Sequence, residues 1–156
     1  MLTISPTKVT PEQIRQLSAA GIIISLGHTI ASFEQVQKAV EAGAKHITHL
    51  GDAMTGEVKT RGAQSGLVDF ALCADGNTPG IGRVVSSIIC DRGVHIEDPF
   101  FRVVLATHQA YGNGELTRLG ITTDAATYPA SQDFTFQFGK RGATVTYMAA
   151  ENKCSN

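Results

Sequence analysis

The chain has 156 residues, 42% hydrophobic and 17% charged, enough apolar material for a packed core and too much for intrinsic disorder. Its 13 basic and 14 acidic side chains are spread along the chain and leave a formal charge of -1, so no electrostatic footprint marks nucleic acid or an anionic membrane as a partner. No apolar run approaches the roughly 20 residues that span a bilayer, and Met1 to Thr10 lacks the basic-then-apolar pattern of a secretory leader, so the expected setting is the cytoplasm.

In chain order, Thr10, Pro11 and Gln13 predict a helix start: an N-cap, a proline at the first helical position and the third residue of a capping box, with the helix running to about Ala20. The run from Gly21 to Gly27 is short, apolar and β-branched, as in a strand buried on both faces of a parallel sheet, and it stops at His28. Ser32 and Gln35 repeat the capping pattern, and Phe33, Val36, Ala39 and Val40 supply a helical apolar face that ends before Gly43. Further strands fit Lys45 to His49, Arg83 to Cys90 and Leu116 to Thr123, with a helix near Pro99 to Ala110. Gly51 to Asn77 is glycine-rich and reads as a long active-site loop holding a short helix. This alternation predicts right-handed βαβ units and a parallel sheet, an α/β fold. After Asp124 the period changes, since Phe134, Phe136 and Phe138 alternate with polar residues and Thr144 to Tyr147 does likewise. Residues 1–130 are therefore expected to form the main unit and 131–156 the start of a small flanking β-domain, with no internal repeat. Cys73, Cys90 and Cys154 are odd in number and widely spaced, and read as incidental thiols.

In a parallel α/β barrel the residues just past each strand end gather on one rim. His28, His49 and Asp124 each fall at or just past a predicted strand end, so they can share a site although 96 positions (124 minus 28) separate the outermost two. Two imidazoles and a carboxylate suit zinc first, and iron or another divalent ion otherwise, because nitrogen and oxygen donors match their borderline softness. His46, three residues before His49, and His108, within a predicted helix, read as structural.

The segment Ser25-Leu26-Gly27-His28-Thr29, followed by Thr48-His49-Leu50-Gly51-Asp52-Ala53-Met54, resembles the paired metal-ligand motifs of the N-acetylglucosamine-6-phosphate deacetylases of the amidohydrolase superfamily. Asp91-Arg92-Gly93-Val94-His95 is similar to that family's DGxH element, and Thr123-Asp124-Ala125 to its TDA element. The resemblance runs from about Leu2 to Cys154. It implies a partial (β/α)8 TIM barrel of the metal-dependent amidohydrolase type, the C-terminal part, with a short β-rich tail.

By resemblance, His28 and His49 bind the metal, Asp124 is the catalytic general base and acid, and Asp52, Ala53, Arg61 and His95 contact the amino-sugar phosphate. The implied reaction releases acetate from N-acetylglucosamine 6-phosphate and leaves glucosamine 6-phosphate. Asp52 stands where the family's HLxNAM element has asparagine, and Gly51 where it has a bulky residue. The family's metal-binding glutamate belongs to strands upstream of the matched region. The chain is thus expected to be a fragment lacking an N-terminal segment, or a subunit of a homo-oligomer. Two alternatives stay open: an amidohydrolase acting on a non-phosphorylated N-acetyl sugar or cyclic amide, and a non-catalytic remnant or assembly subunit.

Overall fold

The computed structural model of the chain describes residues 1–54, 66–72, 84–89, 95–111, 118–122, 134–138, 143–148 and 153–155. Two compact units emerge, Met1–Thr122 and Thr123–Asn156.

The first unit is built from repeated strand–helix steps: β1 (Leu2–Ile4), α1 (Pro11–Ala19), β2 (Ile24–Leu26), α2 (Phe33–Glu41), β3 (His46–Ile47), α3 (Leu67–Leu72), β4 (Val85–Ile89), α4 (Asp98–Tyr111) and β5 (Leu119–Thr122). The two nine-residue helices α1 and α2 are twins. Thr10 and Ser32 each accept the N–H of the residue three further on, Gln13 and Gln35, and those glutamines reach back to the cap N–H, completing two capping boxes. Each helix also stops in the same way, at a glycine in the left-handed region: Gly21 (φ 83°) and Gly43 (φ 119°). The N–H groups of Gly21 and Ile22 return to Ser18 and Leu17, and those of Gly43 and Ala44 to Val40 and Ala39, which is the Schellman pattern. That cap explains why β2 begins at Ile24 and not at Gly21: Gly21 and Ile22 are spent on ending the helix.

The five strands of this unit pair in parallel, in the order β1-β2-β3-β4-β5. A doubly wound sheet reverses its strand order at a switch point; here every strand lies beside its successor in sequence. Side chains alternate faces along a strand, so residues in register form rows. One row, Ile4, Leu26, Ile47, Ser86 and Leu119, faces the helices, and all but Ser86 belong to or pack on a core that also holds Ile14 of α1, Val36 of α2, Phe70 of α3 and Val104 of α4. Each such fully buried side chain contributes about 1.5–3 kcal/mol. Phe70 also meets Phe33 edge-on, with ring centroids 5.2 Å apart. The opposite row holds Thr3, Ser25, His46 and Val85, and there the Ser25 hydroxyl is bonded to His46 Nδ1 at 2.8 Å.

The second unit is a three-stranded antiparallel sheet, β6 (Phe134–Phe138), β7 (Ala143–Met148) and β8 (Lys153–Ser155), in that order. Among the described residues no helix is long and apolar enough to cross a membrane.

Candidate metal centre

Because the strands are parallel, the turns after β1, β2 and β3 open on the same edge of the sheet. Ser5, just past β1, donates to the Thr29 hydroxyl at 2.8 Å, and Thr29 in turn accepts the N–H of Ala31 at 3.1 Å. This fixes the turn that carries His28 and delivers the chain to the α2 cap. Gly27 sits where a Cβ would press on Thr48 Cγ2 and lie 3.3 Å from Thr3 Cγ2, so glycine lets the end of β2 close on the end of β3.

That approach brings His28 and His49 together. Their ring centroids are 4.5 Å apart and the planes are inclined by 34°. Zinc lies about 2 Å from each imidazole nitrogen, which puts two rings sharing one ion roughly 5 Å apart. His28 is exposed, His49 is 3% exposed, and His49 Nδ1 has no hydrogen-bond partner among the described residues. A buried orphan nitrogen calls for an explanation. A cation shared with His28 is one, so the donor chemistry and the geometry fit a divalent metal.

Both histidines have positive φ, 46° at His28 and 31° at His49, a conformation that costs a non-glycine residue about 1 kcal/mol or more and that clusters at functional sites. At His49 the surroundings hold it. Its N–H donates to Ser87 Oγ at 3.0 Å, the N–H of Leu50 to Ser87 O at 2.7 Å, and the N–H of Asp52 closes back on His49 O at 3.0 Å. Beyond it φ is positive again at Gly51 (97°) and Ala53 (49°). Asp52 is half-buried and Ala53 exposed in that stretch. A Cβ at Gly51 would lie 2.9 Å from Cζ and 3.0 Å from Cδ1 of Phe100, and closer still to Cε1, so the first turn of α4 is packed directly on the turn backbone. This is the physical reason for glycine at position 51.

His95 is exposed on the segment leading into α4. Arg61 and Asp124 lie outside the described residues. Among the described residues no group of three or more His, Cys, Asp or Glu side chains could hold a metal, so the pair His28 and His49 is what the structure assembles. His46 and His108 are structural, as read: His46 is held by Ser25, and His108, 5% exposed, donates from Nδ1 to Val104 O at 2.9 Å. Burial lowers the pKa of both below the ordinary histidine value; at His108 the Val104 carbonyl opposes the shift and Arg118 adds to it. Ser87, Ser5 and Phe100 carry no motif, and Gly27 belongs to one without its role in the approach of β2 and β3 being legible from it. The one signal present in the sequence is the pair Ser86-Ser87 inside the apolar run from Val84 to Ile89, where a buried hydroxyl needs a partner.

No family model matches the chain. The N-acetylgalactosamine-6-phosphate deacetylase of Shewanella sp. (strain ANA-3) is 38% identical over 138 residues, covering 88% of this chain and 31% of that protein. The N-acetylglucosamine-6-phosphate deacetylase of Bacillus subtilis (strain 168) is 31% identical over 134 residues, 86% of this chain and 30% of that protein. Its relatives are amino-sugar-6-phosphate deacetylases. The crystal structure of N-acetyl-D-glucosamine-6-phosphate deacetylase from Mycobacterium smegmatis superposes with a TM-score of 0.69 at 29% identity, over 96% of this chain and 34% of that one. A mutant of that deacetylase, solved in complex with N-acetyl-D-glucosamine-6-phosphate, gives a TM-score of 0.69 at 28% identity over 94% of this chain and 34% of its own. The chain thus spans about a third of the length of the deacetylases it matches.

Proposed function

We propose that the chain carries the two-histidine part of a metal site on the rim of an amidohydrolase-type (β/α)8 barrel. In this reading it hydrolyses the acetamide of N-acetylglucosamine 6-phosphate to glucosamine 6-phosphate and acetate. The observation that carries the proposal is the 4.5 Å approach of His28 and His49, with His49 Nδ1 buried and unpartnered among the described residues, in a chain whose relatives are deacetylases. A divalent ion, zinc in the first place, supplies the Lewis acidity that makes water nucleophilic near neutral pH. His28 and His49 hold it through neutral imidazole nitrogens, and since catalytic zinc sites use three protein ligands, the reading calls for one further donor.

Asp124 enters through its sequence motif. Its carboxylate takes the proton of the attacking water and returns it to the departing amine, acting as base and then acid. The exposed turn at Ala53 and the side chain of His95 contact the phosphate, and Arg61 grips it through two parallel hydrogen bonds. The setting proposed is cytoplasmic, with a further copy or segment completing the barrel.

Asp52 favours a second reading. A half-buried carboxylate beside a phosphate repels it unless paired, which suits a sugar without phosphate. The Shewanella relative, by its name, also raises the galactosamine epimer. Acetate release by the zinc-loaded chain from N-acetylglucosamine and N-acetylgalactosamine, each with and without the 6-phosphate, separates these readings. Preference for a 6-phosphate supports the first; equal or faster release from the free sugars rejects it. A Zn2+ titration alongside is expected to show binding that His28→Ala and His49→Ala each abolish, and unchanged binding in both variants rejects the metal site itself.

A further inference from the structure

The geometry points to Ser87 as the positioning residue that locks the His49 ring against His28, an inference that rests on the metal reading only for its importance and not for its geometry. Regular pairing of β3 with β4 ends at Ile47 opposite Ser86. Past that point the chain must turn sharply while still delivering His49 into the rim. Ser87 replaces the missing ladder with its own side chain. It accepts the His49 N–H on Oγ at 3.0 Å and the Leu50 N–H on its carbonyl at 2.7 Å, and its hydroxyl is aimed at Ile47 O at 3.4 Å. One residue therefore grips three consecutive links of the turn on either side of the positive φ at His49.

Ser87 and His49 are 7% and 3% exposed, so water cannot easily take over the bond to the His49 N–H. Without the Ser87 hydroxyl that N–H is buried and unpaired, and the strained φ loses what holds it. Rotation of the backbone back to negative φ swings the imidazole out of its place 4.5 Å from His28. The hydrogen bonds of Ser87 to the turn all go to backbone atoms, so it would act through the His49 backbone. Groups that orient a metal ligand in this indirect way typically change affinity by about 10- to 100-fold.

The test compares Ser87→Ala, Ser87→Thr and Ser25→Ala with the wild-type chain. Ser25→Ala is the control, because it breaks another serine–histidine bond, to His46, on the same face of the sheet but farther back from the strand ends. In the metal-free protein, a proton NOE between the His28 and His49 rings is expected in the wild type, in Ser87→Thr and in Ser25→Ala, and is expected to vanish in Ser87→Ala. Titration with Co2+, followed by its visible absorption, is expected to weaken roughly tenfold or more in Ser87→Ala with an altered spectrum, and to stay within about twofold of wild type in Ser25→Ala, whatever its melting temperature. A persistent ring NOE in Ser87→Ala, or an equal loss in Ser25→Ala, overturns the role of Ser87. Failure of the wild type to bind Co2+ while the NOE follows the expected pattern rejects the metal reading and leaves the positioning role supported. If Ser87→Ala does not fold, Ser87→Cys, nearly isosteric and a poor acceptor, is read in the same way.

Discussion

Replacing Gly51 by alanine tests the packing of the candidate site most sharply. Two costs add. A Cβ at φ 97° is strained, by about 1–2 kcal/mol, and the added methyl overlaps the Phe100 ring, an overpacking of about 1–3 kcal/mol. The expected loss is about 3 kcal/mol, a large part of the roughly 5–15 kcal/mol by which a domain is stable. For a chain of this length it corresponds to a fall in Tm of roughly 6–12 °C. Urea unfolding of Gly51→Ala, Phe100→Leu and the double variant closes a mutant cycle. In the Phe100→Leu background the ring overlap is largely gone, so Gly51→Ala is expected to cost only the backbone strain, about 1–2 kcal/mol. A penalty below about 1 kcal/mol in the parent, or the same penalty in both backgrounds, would show that α4 does not bear on this turn and would refute the reasoning.

The twin caps give a second expectation: Thr10→Ala and Ser32→Ala should each cost about 1 kcal/mol in urea unfolding and add in the double variant, and a loss confined to one of them would mean that the matched capping boxes are not energetically matched. The third concerns pH. His46 and His108 are pushed below their ordinary value near 6.5 by burial, so the unfolded chain binds protons that the folded chain refuses. Their contribution is complete above that value and is lost as pH falls through the folded pKa. The urea midpoint should therefore drop between about pH 7.5 and about pH 5, and His108→Gln should flatten the drop; a midpoint that is level or rises towards acid contradicts the assignment.

The features legible in the sequence are those set by neighbours a few residues apart. Thr10 with Gln13 and Ser32 with Gln35 place both helix starts, because a capping box closes within four residues. The strand-end logic likewise placed His28 and His49 on consecutive strands, and the structure brings their rings together. β1 was not legible: it has three residues, Leu2 is 42% exposed, and what makes it a strand is its register with Ile24 to Leu26. Nor was the geometry of the site, since positive φ is uncommon outside glycine even for histidine, and the serine that sustains it at His49 lies 38 positions away. The phenylalanines and the Thr144 to Tyr147 run show the period of β6 and β7, whereas β8, three residues ending at Ser155, gave no such signal.

The strand order has a consequence for the order of synthesis. Because each strand pairs with the one made just before it, with one short helix between β2 and β3, both imidazoles can meet once His49 has emerged from the ribosome. The serine that fastens the second of them emerges only with the next strand. The histidine pair is thus assembled first and made rigid afterwards, and a nascent chain paused before β4 would present the two imidazoles near one another without the backbone that fixes His49.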